Sequence, residues 1–239
     1  MKSLPFSSSA GNWPIISLLM FLGCLVTGLS ALAGYYQGDL HHYFNEGGVT
    51  DWLSALQLLT VAVIAGAVYH LRRQQQTTWR SPQLLWLLVT IGFIFLTADE
   101  LTQIHESMDS WIHSIWQLQE TGLTDRIDDA LVGLYGVVAA VILYGFRHEL
   151  KRYHELRQLI VYSFGVLCLM VMFDLLTNRP DILPMLFGQV GYGLLDGLAI
   201  AEELCKLTIE AIVIGILYRV FWIEKQTIRS KAADPSVSN

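Results

Sequence analysis

The sequence predicts an all-α protein, a polytopic membrane helix bundle of about six transmembrane helices, and three observations carry that prediction. The first is composition. Of 239 residues 53% are hydrophobic and only 15% charged, with a mean hydropathy of +0.45, which is too apolar for an ordinary water-soluble domain. The second is length: several apolar runs reach the roughly 17–25 residues that a helix needs to cross a hydrocarbon core of about 30 Å. The third is the placement of charge. In a six-span arrangement 12 of the 15 Lys and Arg residues fall on one side, the exceptions being Arg126, Arg179 and Lys206, and a one-sided basic bias marks the cytoplasmic face. Both ends of the chain are therefore expected in the cytoplasm.

The first span is expected at 14–36 and the second at 52–71, closed by the basic tract LRRQQQTTWR. The third, at 83–100, is short, but ADELTQIHESMDSWIHSIW keeps a helical pattern, which predicts that this helix continues out of the lipid. Further spans are expected at 130–147, 159–177 and 204–223, with 226–239 as a short cytoplasmic tail. The Gly-rich stretch before the last span has no Gly or Pro in AIAEELCK to turn the chain near Leu204, so one long helix, or a re-entrant piece leading into it, is expected over 182–201. SALAG at Ser30–Gly34 has the small residues of a leader cleavage site, but the basic segment ahead of it holds only Lys2 and the apolar run is long, which favours an uncleaved span.

Membrane lipids are the expected partners. There is no basic stretch suited to nucleic acid, and no Gly-x-Ser-x-Gly, Walker loop, His-Glu-x-x-His or Cys-x-x-Cys, which removes the commonest hydrolase, nucleotide, zincin and thiol-redox readings. Cys24, Cys168 and Cys205 share no close spacing and imply neither a disulfide framework nor a zinc knuckle.

The informative residues are acids. In the six-span topology all Asp and Glu except Glu149, Glu155, Glu224 and Asp234 lie outside or in the outer half of the membrane. Loop acids need no explanation, but an ionised carboxylate within an apolar helix costs several kcal/mol unless paired or facing a wet interior. Two segments hold such acids. If the third helix continues, Asp99, Gln103, Glu106, Ser110 and His113 fall on one stripe at about 100° per residue, with His105 beside it and Glu100 pointing elsewhere. In the last helix Asp196, Glu203 and Glu210 recur every seven residues, flanked by Glu202 and Lys206, and Asp174 lies near the outer end of the fifth span. If the two stripes face each other their repulsion must be offset by a bound cation, by shared protons, or by Lys206, Arg126 or Arg179.

Asp99, His105, Glu106, Asp174, Asp196, Glu202, Glu203 and Glu210 are thus candidate ligands for a divalent metal ion, with Asp99, His105, Glu106 and Glu203 as candidate catalytic groups. The His41-His42 pair stands near the same face. A salt-bridged or proton-sharing network without metal accounts for the same residues. The leading expectation is a metal-dependent enzyme acting on a lipid or lipid-linked substrate. The alternatives are a proton- or cation-coupled transporter and a non-catalytic assembly or accessory subunit. Few polar residues mark the cytoplasmic half of the spans, which weighs against a transport path.

FLTADELTQIHE, together with a second span that begins VTDWLSALQLL, resembles uncharacterised bacterial multi-pass inner-membrane proteins carrying a Phe-Leu-x-x-Asp-Glu-x-x-x-Ile-His-Glu pattern. The resemblance covers the first half of the chain and rests on Asp99, Glu100, His105 and Glu106. It implies a bacterial inner-membrane location and supplies no reaction.

Overall fold

The structure, a computed structural model, describes residues 13–44, 47–73, 81–117, 127–177 and 192–233. Every regular element among them is a helix: α1 (Trp13–Gln37), α2 (His41–Phe44), α3 (Val49–Arg72), α4 (Leu84–Thr102), α5 (Ile104–Trp116), α6 (Ile127–Gly145), α7 (Arg147–Leu150), a 3-10 segment (Lys151–Leu156), α8 (Arg157–Thr177) and α9 (Tyr192–Ala233). Four stretches are long and apolar enough to cross a membrane: Trp13–Gln37, Val49–Arg72, Leu84–Thr102 and Arg147–Thr177, the last of them kinked at Tyr153. Ala130–Gly145 in α6 is a shorter apolar helix.

The spine of the fold is α9. Its 42 residues give a rod of about 63 Å at 1.5 Å per residue. It packs against α1, α3 and α8, and α3 packs in turn against α4. Val61, Ala65 and Val68 of α3, Leu85 and Trp86 of α4, and Ile214, Leu217 and Val220 of α9 form the buried apolar core. The other faces invert the pattern of a soluble protein. On α1, Leu18, Phe21, Leu25, Leu29 and Leu32 are exposed while Ile16, Gly23, Thr27, Ser30 and Gly34 are buried. No residue of α8 is buried, and Val161, Phe164 and Val171 point outward. Small residues on the inner face let backbones approach, as expected where lipid-like surroundings leave close packing as the main attraction between helices: a Cβ on Gly23 would lie 3.3 Å from Cβ of Leu207.

Two expectations meet the structure directly. The last helix runs from Tyr192 without a break near Leu204 and continues to Ala233; residues 182–191 lie outside the described part. The third helix, by contrast, does not continue through His113. Gln103 adopts a left-handed conformation, φ 53° and ψ 51°, and separates α4 from α5. The physical reason is local. The Gln103 N–H closes the end of α4 on the Asp99 carbonyl at 2.7 Å, and an Asp99 side-chain oxygen accepts the His105 N–H at 3.0 Å. That carboxylate thereby satisfies a free amide in the first turn of α5 and complements the positive end of its dipole.

The α1–α2 connection is equally tight. Gly38, at φ +74°, turns the chain, and a Cβ on Gly34 would lie 2.9 Å from Cα of Leu40 and 3.1 Å from the Asp39 carbonyl oxygen. Backbone cannot yield as a side chain can, so Gly34→Ala is expected to destabilise the protein by about 1–3 kcal/mol. A Cβ on Gly28 meets nothing within 4 Å, and Gly28→Ala should stay within about 0.5 kcal/mol. The midpoint of heat-induced loss of monodispersity in detergent, compared across the two variants, checks this pair.

Candidate functional site

The ammonium of Lys206 on α9 is the centre of a charged cluster at one end of the bundle. Its Nζ donates to Oδ1 of Asp51 on α3 at 2.9 Å and to Oε1 of Glu100 on α4 at 3.0 Å, and it lies 2.9 Å from Oε1 of Glu203 one turn away on its own helix. An ammonium has three protons, and here each has a carboxylate. The Lys206 side chain is 22% exposed and the three acids between 12% and 21%, so the cluster sits at the edge of the core rather than in open solvent. One positive charge faces three negative ones.

Deeper along the same α3–α9 contact, the Ser54 hydroxyl donates to Oε1 of Glu210 at 2.6 Å. Thr50, Ser54 and Gln57 form a buried polar stripe on α3, at most 2% exposed. Among the described residues, Oε2 of Glu210, Oε2 of Glu203, the Thr50 hydroxyl and both Gln57 amide atoms have no hydrogen-bond partner.

Asp99, at the end of α4, turns away from this cluster. Its Oδ2 lies 3.1 Å from Nδ1 of His105, while its Oδ1 takes the His105 backbone N–H. Asp99 is 7% exposed and the His105 side chain 23%. A buried carboxylate that holds both the backbone and the ring of one histidine orients the imidazole and sets Nδ1 as its N–H, leaving Nε2 as the basic nitrogen. A similar local pair joins Nδ1 of His113 to Asp109 at 3.1 Å.

The eight candidate ligands therefore do not come together as one metal set. Among the described residues no three His, Cys, Asp or Glu side chains gather so as to hold a metal ion. Glu203 is engaged by Lys206, Glu210 by Ser54 and Asp99 by His105. Glu202 accepts from the Thr177 hydroxyl at 3.4 Å, on the α8 side and within electrostatic range of Asp174. Asp196 stands about two turns before Glu203 and is half-buried. Glu106, half-buried in the first turn of α5, is not among the acids that reach Lys206. Of the four candidate catalytic groups only Asp99 and His105 meet. The two acidic segments do meet, but through Glu100, which the stripe of Asp99 and Glu106 had set aside. The reason is the break at Gln103: once α5 leaves the axis of α4, its acids no longer extend that helix's face. Lys206 is the counter-ion anticipated for the acids; Arg126, Arg179 and the side chains of His41 and His42 lie outside the described residues.

The sequence reading missed a second polar cluster at the opposite end of the bundle. Arg72, closing α3, pairs with Glu149 of α7 and reaches Glu224 of α9, Nε to Oε2 at 3.7 Å. The Tyr153 hydroxyl donates to Oε1 of Glu224 at 2.8 Å and accepts from Nη1 of Arg72 at 3.1 Å. Arg152 lies 3.3 Å from Glu224, and Trp86 packs edge-on to Tyr153 with its indole N–H 3.4 Å from Glu149. Two arginines balance two glutamates, so this cluster is neutral and closed. The signal for it was weak, because each member stands in a basic flank that reads as solvated.

Between the two clusters lies the apolar core of Val61, Ala65, Val68, Ile214 and Leu217. What the fold and the site define is an all-helical protein with several helices suited to a membrane, whose partly buried ion pairs, among the described residues, gather at the two ends of one bundle. A family profile described as a domain of unknown function (DUF8692) matches residues 15–220, and the chain belongs to that family. No curated protein and no solved structure matches it.

Lys206→Met would leave three partly buried carboxylates without their cation, with an expected loss of about 3–5 kcal/mol. Adding Glu100→Gln and Glu203→Gln should recover part of that loss, whereas the same two changes with Lys206 intact should not stabilise. Thermal midpoints of the four proteins in detergent decide it. At the other end, Tyr153→Phe removes a donor from the buried Glu224 and should cost about 1–3 kcal/mol, while Arg152→Ala, at a side chain 44% exposed, should cost less than about 1 kcal/mol.

Proposed function

We propose that this chain is a six-span bacterial inner-membrane protein with both ends in the cytoplasm, and that its periplasmic face carries an acid–base site acting on a lipid or lipid-linked substrate. Support for the topology comes from the two clusters. Arg72, Glu149, Arg152 and Glu224 meet at one end, where Arg73, Lys151, Arg157 and Lys225 also fall, and a one-sided basic bias belongs to the cytoplasm. Asp51, Glu100 and Lys206 meet at the other end. With α6 and α9 crossing beside the four long apolar stretches, the ends alternate as six spans require.

The observation that carries the chemistry is the Asp99–His105 pair. In it Asp99 fixes the ring through Nδ1, which leaves Nε2 of His105 to take a proton from a substrate hydroxyl or water and return it to a leaving group. Glu106 follows His105 directly on α5. The lipid assignment follows from location, since the pair stands where an apolar helix ends and the interface begins. A metal-assisted version of this chemistry has less support, because Glu203, Glu210 and Asp99 are engaged with Lys206, Ser54 and His105. A transport reading would need the apolar layer between the two clusters to part.

In cells lacking the chain, complementation with the parent should restore the extractable envelope lipid profile. His105→Gln and Asp99→Asn should fail to do so while purifying as monodisperse as the parent. Full complementation by His105→Gln would overturn the acid–base reading and leave an assembly role.

A further inference from the structure

The α5 helix sorts its side chains onto three faces roughly 120° apart at about 100° per residue. His105, Glu106, Asp109 and His113 are half-buried and face the protein. Ser107, Ser110 and Ser114, at i, i+3 and i+7, are exposed. Met108, Trp111 and Ile115, with the same spacing, are also exposed, at 38%, 63% and 54%. A helix beside a soluble body needs two faces, one buried and one wet. A third face, apolar and uncovered, needs a third medium.

We infer that α5 lies in the interface of the leaflet at the Lys206 end of the bundle, with Met108, Trp111 and Ile115 set into the boundary between headgroups and acyl chains and the serine face in water. Three features commit this face to lipid. The apolar α4 has 19 residues, about 28 Å at 1.5 Å per residue, so its end at Thr102 reaches the edge of a hydrocarbon core of about 30 Å. Only Gln103 separates that end from α5, and its left-handed conformation takes α5 off the axis of α4. Finally, α5 packs against α6, itself an apolar helix with Val132, Val137 and Val141 exposed, so the surface beside α5 is apolar as well. Tryptophan suits such a boundary, being apolar in body and polar at one edge. Since α5 contains no Lys or Arg, its attachment should not depend on anionic lipid. The inference rests on the chain crossing a membrane, and it is independent of the acid–base chemistry.

The test uses the full chain with Cys24, Cys168 and Cys205 replaced by Ser and one new cysteine labelled with bimane, either Trp111→Cys or Ser110→Cys. It is reconstituted into vesicles of phosphatidylethanolamine and phosphatidylglycerol carrying a nitroxide on the headgroup or high on the acyl chain. Lipid nitroxide should quench the label at 111 several-fold more than that at 110, and aqueous iodide should reverse the order. Exchanging phosphatidylglycerol for phosphatidylcholine should change neither result. Equal iodide quenching at both positions would overturn the inference in favour of open solvent. A label at 111 shielded from nitroxide and iodide alike would overturn it in favour of a protein surface, such as a second copy of this chain. Met108→Cys lies on the same stripe and must give the same result as Trp111→Cys.

Discussion

The Lys206 ammonium sets the register of the bundle. Apolar side chains facing lipid-like surroundings have little preference for one partner over another, since a neighbouring helix is no more apolar than an acyl chain. Close packing of small residues brings α1 and α9 together, but it does not by itself choose a rotation. The three bonds of Lys206 do. They tie Asp51 on α3 and Glu100 on α4 to one point on α9, where Glu203 joins them from one turn away. Turning α3 or α4 by one residue, about 100°, would withdraw its acid, while turning α9 would withdraw the ammonium from both. A charge at the edge of an apolar core thus specifies the arrangement more than it strengthens it.

Much of the fold was legible because a membrane helix announces itself by length. Helices stand at Trp13–Gln37, Val49–Arg72, Leu84–Thr102 and Arg157–Thr177, where apolar runs ended in basic tracts or acidic turns. Lys206 was legible as a counter-ion because a lone cation among acids on one helix has little else to do. The break at Gln103 was not, because a periodic pattern passes unchanged through a single left-handed residue, and glutamine is not a residue that marks one. That break also explains the assignment of Glu106 in place of Glu100. The Arg72–Glu149–Tyr153–Glu224 cluster was hidden for another reason: its members are far apart in sequence, and each stands in a basic flank of the kind that usually faces water.

The two polar clusters differ in kind. The one around Arg72 is balanced in charge, tied together by a buried tyrosine hydroxyl, and occupies the kinked junction that leads into α8; it has the character of a closure. The one around Lys206 carries more acid than base, continues inward through Ser54 to Glu210, and leaves carboxylate and amide atoms without partners among the described residues. Unpaired buried polar atoms are costly, and several of them gather at the Lys206 end, so the two clusters differ in how fully their polar atoms are satisfied.

The continuity of α9 has a mechanical consequence. Lys206 and Glu224 lie 18 residues apart on one uninterrupted helix, about 27 Å along its axis, and each is the α9 anchor of its own cluster. An α-helix of this length resists stretching and twisting far more than side chains resist repacking, so it behaves as a push-rod between the two clusters. Any event that slides or rotates α9 enough to free Lys206 from Asp51 and Glu100 must move Glu224 against Arg72 and Tyr153 in the same stroke. The two ends are therefore geared to each other across an apolar interior.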